Sequence, residues 1–212
     1  MSEQNLDDYD FEHEKFMQET VKNYQAEIKK YTFEIKKGEN STFNYASLFQ
    51  SYKALYEFTK DEKEYKCVDK ETVENACTKL LAKIKDEMSQ NINMADNYGY
   101  LSYVYEYKEN LPKALECLDK AVELDTSNLI TRASFKNHTL NDREGALEDY
   151  RKALENEQDP DQKEFIQHMI DTIDLIRDTD KEIKKFHLKT TLITLAIIAY
   201  IIYKIYVIFF VK

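Results

Sequence analysis

Apolar residues Met17, Val21, Tyr24, Ile28, Tyr31 and Ile35 alternate at spacings of four and three, which predicts one long helix from about Tyr9 to Lys37, stopped at Gly38. This heptad seam runs for under three repeats, short for a free coiled coil. It is therefore expected to pack onto the rest of the chain, with a partner helix as the alternative. A second helix is predicted over roughly Ser41 to Thr59, with Tyr45, Leu48, Tyr52 and Leu55 on one face. A third covers about Lys70 to Met88, apolar at Val73, Ala76, Leu80 and Ile84. The charged run KDEKEYK (60–66) between them reads as a solvated connection. Beyond Pro160, Phe165, Ile166, Met169, Ile170, Ile173 and Ile176 form a stripe wide enough for a helix that closes a helical stack. From Arg177 to Lys185 the pattern turns polar, a short stalk. With three Gly and two Pro in 212 residues, few places break a helix, and the fold class is all-α.

Between 94 and 158 the chain repeats itself. KALECLDKAVEL returns as GALEDYRKALEN at an offset of 32, so that Ala114, Leu118 and Ala121 match Ala146, Tyr150 and Ala153. Fixed-period similarity in a helical sequence signals stacked helix pairs. Setting Ala114 on the second helix of such a pair places Tyr98, Leu101, Ser102 and Tyr105 on the first. The small residues then let two helices approach while the large ones fill the groove between pairs. This pattern resembles the tetratricopeptide repeat. The unit from about Met94 to Asp125 matches well. The next, about Thr126 to Gln158, departs, with Ile130, Ala133 and Asn137 at signature positions. Tyr45, Leu48 and Tyr52, followed by Ala76 and Leu80, look like a degenerate third unit with an insertion. Two units are too few to stand alone, so flanking helices are expected to cap them. The resemblance implies a bundle of helical hairpins with a groove lined by first helices, at Asn97, Tyr100, Ser102, Val104, Tyr105 and Arg132. Family members that clamp chaperone C-termini use a Lys and an Asn where this chain has Gly99 and Tyr103. Arg132 matches one later clamp position but Asn128 replaces the Lys, so that activity is not expected.

The last long stretch, TTLITLAIIAYIIYKIYVIFFV (Thr190–Val211), holds one charge and no Gly or Pro. As a helix it is roughly 33 Å long, enough for a bilayer core. A C-terminal transmembrane anchor is expected, with Lys184, Lys185 and Lys189 holding the head on the cytosolic or equivalent side. Lys204 within it either snorkels outward or makes an intramembrane contact with a neighbouring subunit or lipid headgroup. The expected organisation is thus an N-terminal helix (1–38), a helical pair (41–91), two repeats (94–158), a capping helix and stalk (160–187) and an anchor (190–211).

Charge and chemistry narrow the function. Of 30 basic residues, Lys189, Lys204 and Lys212 lie from 189 onward and no acidic residue does, so the head sets 27 against 40, a balance of −13. That disfavours nucleic acid and favours basic partners. Cys67, Cys77 and Cys117 fit no metal or redox spacing, His13, His138, His168 and His187 are scattered, and Gly38, Gly99 and Gly145 build no phosphate loop. No catalytic, cofactor or metal residue and no small-molecule substrate is expected. Sixteen tyrosines without a Trp suit a protein interface. A helical-repeat head on a C-terminal anchor is similar in arrangement to the mitochondrial fission adaptor. The resemblance implies a non-enzymatic adaptor or scaffold that holds a peptide or helix at a membrane, mitochondrial rather than endoplasmic-reticulum. The alternative is a structural accessory subunit of a membrane complex, with Lys204 as an assembly contact.

Overall fold

The computed structural model describes residues 3–62, 64–65 and 67–210, with side chains described from 12 to 195 of these and at 197 and 198. The described residues form α-helices α1 (Glu3–Lys36), α2 (Thr42–Thr59), α3 (Lys70–Ser89), α4 (Met94–Tyr107) and α5 (Leu111–Leu124). A 3-10 turn (Thr126–Asn128) then leads to α6 (Leu129–His138), α7 (Arg143–Asn156) and α8 (Pro160–Phe210). The all-α class holds. The chain divides into two compact units, Met1–Arg132 and Ala133–Lys212.

In the first unit, local chemistry sets the helix ends. Gly38 takes a φ of +98°, its N–H donates to the Ile35 carbonyl at 3.1 Å, and the Glu39 N–H donates to Glu34 at 3.1 Å. This left-handed stop needs a residue without a Cβ. Ser41 Oγ caps α2 by accepting from the Asn44 N–H at 3.2 Å, and Asp69 Oδ1 caps α3 from Thr72 at 2.8 Å. Helix α2 packs on both α1 and α3. Its buried apolar residues, Ala46, Phe49 and Leu55, therefore wrap more than one face. The one-face expectation of Tyr45, Leu48, Tyr52 and Leu55 catches only Leu55 among the fully buried positions. Phe49 is the centre instead, with its ring edge-on to Tyr107 at 5.4 Å. A sandwiched helix has two apolar faces, and a single-stripe reading selects one of them.

The α1 seam packs within the chain. Met17 is buried, Val21, Tyr24 and Ile28 lie against the core, and Ser51 Oγ donates to Glu27 Oε2 at 2.9 Å across the α1–α2 contact.

The 32-residue repeat is legible in the backbone. Helices α5 and α7 both hold 14 residues and start and stop 32 apart. Asn110 and Asp142 cap them by accepting from Lys113 N and Gly145 N. Asp125 and Glu157 end them by donating to the carbonyls of Ala121 and Ala153. The residues that precede the caps, Glu109 (φ 57°) and Asn141 (φ 54°), share a left-handed conformation. Ala114, Leu118 and Ala121, and their counterparts Ala146, Tyr150 and Ala153, are all buried, while Tyr98 and Leu101 are half-buried. The first helices differ. Where α4 runs unbroken, the Asp125 carboxylate accepts from the Ser127 N–H at 2.9 Å and tightens 126–128 into a 3-10 turn, leaving α6 only ten residues.

In the second unit, Lys136 on α6 reaches the buried Asp149 on α7 at 2.8 Å. Helix α8 packs on α7 through Ile166, Ile170 and Ile173, and Arg177 bridges Asp174 (2.6 Å) and Glu144 (3.5 Å). Arg143 pairs with Asp180. The expected capping stripe is split. Phe165 and Ile176 lie on the outer face, 50% and 40% exposed, because a single neighbour covers only one side of the helix. Among the described residues no helix is long and apolar enough to cross a membrane. The second half of the expected span, including Lys204, lies outside the described side chains.

Candidate functional site

Helix α4 carries five of the six residues expected to line a groove, and three of them are corrected by burial. Asn97 is fully buried, and its Nδ2 donates to the Ile92 carbonyl at 2.9 Å and to Glu87 Oε2 at 3.2 Å. Ser102 is buried with its Oγ donating to the Gly99 carbonyl at 2.6 Å, and Val104 is buried in the apolar core. Spacing alone does not tell which face of a central helix meets solvent, and α4 packs on both α3 and α5. Tyr100 is half-buried, and burial first, then the nearby Asp96, pushes its hydroxyl up to about 12. Tyr105 keeps partial exposure beneath the Lys113 ammonium, 5.5 Å from its ring centre. Arg132 is held by Asp119 at 2.8 Å. The α4 surface is thus mainly structural.

Glu87 explains why. This carboxylate sits 7% exposed at the end of α3, next to a turn in which Asn91 and Asn93 adopt left-handed backbone (φ 57° and 46°). Burial pushes its pKa up, but the hydrogen bond from Asn97 and the Lys83 ammonium outweigh it and hold the group below the usual carboxylate value. Lys83 Nζ stands 3.4 Å away. Asn97 is therefore the polar pin that fastens α4 to α3. The thiols of Cys77 and Cys117 are pushed up by burial, which disfavours thiolate chemistry.

The feature with room for a partner lies elsewhere in the first unit. Helix α1, helix α2 and the segment at 67–68 border an open cavity of about 840 Å³. Ile28, Tyr52 and Val68 contribute apolar surface, and Phe33, 58% exposed, stands at its edge. Lys29, Lys30 and Lys36 line it as well. The cavity therefore has an apolar floor and a basic rim, opposite in sign to the acidic balance of the head. Phe33 is further bracketed by Lys37, whose ammonium lies 5.1 Å from its ring centre. The size falls within the range of pre-formed binding sites, and an exposed aromatic beside it is a typical anchor.

The chain matches no family model, no curated protein and no solved structure.

Sequence reasoning misses this cavity because it reduces α1 to its seam. One signal is present: Phe33 is the large apolar residue that falls off the seam, inside the basic run 29–37. Nothing in the spacing of α1 reveals that α2 and the 67–68 segment complete the walls.

Proposed function

We propose that the chain is a non-enzymatic adaptor whose helical-hairpin head is carried on a C-terminal membrane anchor. The α1–α2 cavity is its docking site for a protein partner. The observation that carries this reading is the pairing of an apolar floor with an exposed Phe33 and three lysines. Such a surface suits a short amphipathic segment that offers an apolar side chain flanked by carboxylates. The partner at this site is thus acidic, although the outer head favours basic ones. The α4–α5 hairpin, resembling a tetratricopeptide repeat, belongs to the same unit as the cavity. The anchor is supported by the 22-residue stretch with one charge and by the lysines before it, and a mitochondrial membrane is the proposed location. Membrane attachment raises local concentration, so micromolar contacts suffice to hold a partner.

The test is photo-crosslinking from position 33 of the full chain in native membranes, followed by mass spectrometry. Capture of companions in substoichiometric amounts, lost when Lys29 and Lys36 are changed to Glu, is the expected result. Equal capture by the charge-reversed chain would remove the docking role from this cavity. A fixed set of companions at unit stoichiometry would instead support the accessory-subunit reading, which rests on Lys204.

A further inference from the structure

The outer face of α8 is a second seam. Phe165, Met169, Ile176, Ile183 and Phe186 fall on one line, and four of these are 40% exposed or more. Thr172, Thr179 and Thr190 occupy the intervening positions, so the spacing is four, three, four, three, four, three, four without a break. Their hydroxyls donate back to the carbonyls of His168 (2.8 Å), Leu175 (2.8 Å) and Phe186 (2.6 Å). With the hydroxyls so engaged, each Thr is left to present a β-branched apolar surface. The same register continues through Ile193 and Ile197, 61% and 55% exposed. The line from Phe165 to Ile197 is about 48 Å long. The other apolar line of α8, Ile166, Ile170 and Ile173, is already spent on α7.

A strict 3.5-residue period selects a helix as the occupant, since knobs then meet holes along the whole length. We infer that the occupant is the α8 of a second copy of this chain, in a parallel two-stranded coiled coil. Two observations favour a self-pair. The flanking residues that meet in a parallel self-pair are Leu175 with Asp180, Glu182 with His187, and Lys189 with Thr194, and no like charges face each other. A seam repeated identically along one helix is self-complementary under a two-fold axis. The parallel sense rests on the anchored arrangement proposed above, because two chains that enter one membrane by the same end run the same way; the pairing itself does not.

Oxidative crosslinking of the full chain in mild detergent tests this. Cys67 is exposed and is first changed to Ser, while Cys77 and Cys117 are buried. Single cysteines are then placed on the seam (Ile176→Cys, Ile183→Cys, Thr190→Cys) and two positions before it on the line of residues 174, 181 and 188 (Asp174→Cys, Lys181→Cys, Leu188→Cys). All three seam variants are expected to give a band of twice 25.2 kDa, at yields about tenfold above the others. Equal yields on both lines, no band, or a band of another mass would overturn the self-pair. Crosslinking at one seam position only would overturn the parallel sense and, with it, weaken the anchor while leaving the cavity untouched. As a second measurement, Ile176→Glu with Ile183→Glu, both facing outward, is expected to leave helix content unchanged. It should raise the dimer dissociation constant by about a hundredfold or more. An unchanged particle mass would refute the pairing.

Discussion

Asn97 reads as a binding residue in the sequence and as a fastening one in the structure, and the two roles have opposite consequences for Asn97→Ala. The substitution removes a donor from a buried carboxylate (3.2 Å) and another from the Ile92 carbonyl (2.9 Å). Loss of a hydrogen bond to a charged acceptor costs about 1.5–3 kcal/mol, and an orphaned carbonyl about 1 kcal/mol more. The sum, about 2.5–4 kcal/mol, lowers Tm by roughly 10 °C in a domain of this size. Acid sensitivity supplies a second readout. In the native chain Glu87 titrates below its ordinary value of 4.5, so folding favours the ionised form. Its contribution is complete above that value and fades as pH falls through the depressed one. With Asn97 gone, burial still pushes the pKa up while one opposing hydrogen bond is missing. The acid limb of the stability curve therefore moves to higher pH. Circular dichroism melts of the full chain in detergent, from pH 7 to pH 3, measure both effects. A Tm drop below about 2 °C with an unmoved acid limb would mean that Glu87 is solvated and that the fastening role is wrong.

Glu109→Gly relieves a left-handed non-glycine backbone (φ 57°) and is expected to stabilise by about 0.5–1 kcal/mol, whereas Asn141→Gly, at the matching position, gains only a few tenths because Asn tolerates that conformation. Parallel melts of the two variants check the ordering. Lys136→Met removes the ammonium that stands 2.8 Å from Asp149, 1% exposed, and is expected to cost about 1–3 kcal/mol, read from the shift in the chemical denaturation midpoint. Leu118→Ala, at a fully buried site between α4 and α5, should cost about 2–5 kcal/mol and shift the urea midpoint without changing the slope.

The all-α class and the early helix ends were readable because period and stop signals are local. Gly38 announces the end of α1, and the 32-residue echo recurs in α5 and α7, whereas the expected capping helix, stalk and span run on as the one helix α8. The direction in which faces point escaped. Phe49, Asn97 and Val104 sit where two neighbours meet, so their burial depends on partners far along the chain. The 3-10 turn at 126–128 also escaped, since Asp125 both ends α5 and caps that turn. The α1–α2 cavity was visible only as one misplaced aromatic, Phe33, because its walls come from three separate segments.

Helix α8 runs without interruption from Pro160 to Phe210. Asp180, tied to Arg143 on α7, lies ten residues before Thr190, so in the anchored arrangement proposed above the standoff is about 15 Å. One residue inserted between them would lift the second unit by about 1.5 Å and also turn it by about 100° about the helix axis. Seven would lift it by about 10 Å and bring the bearing back to within about 20°. Height and heading are therefore coupled, as in a screw thread, and the stalk changes length in whole heptads or else faces a different direction.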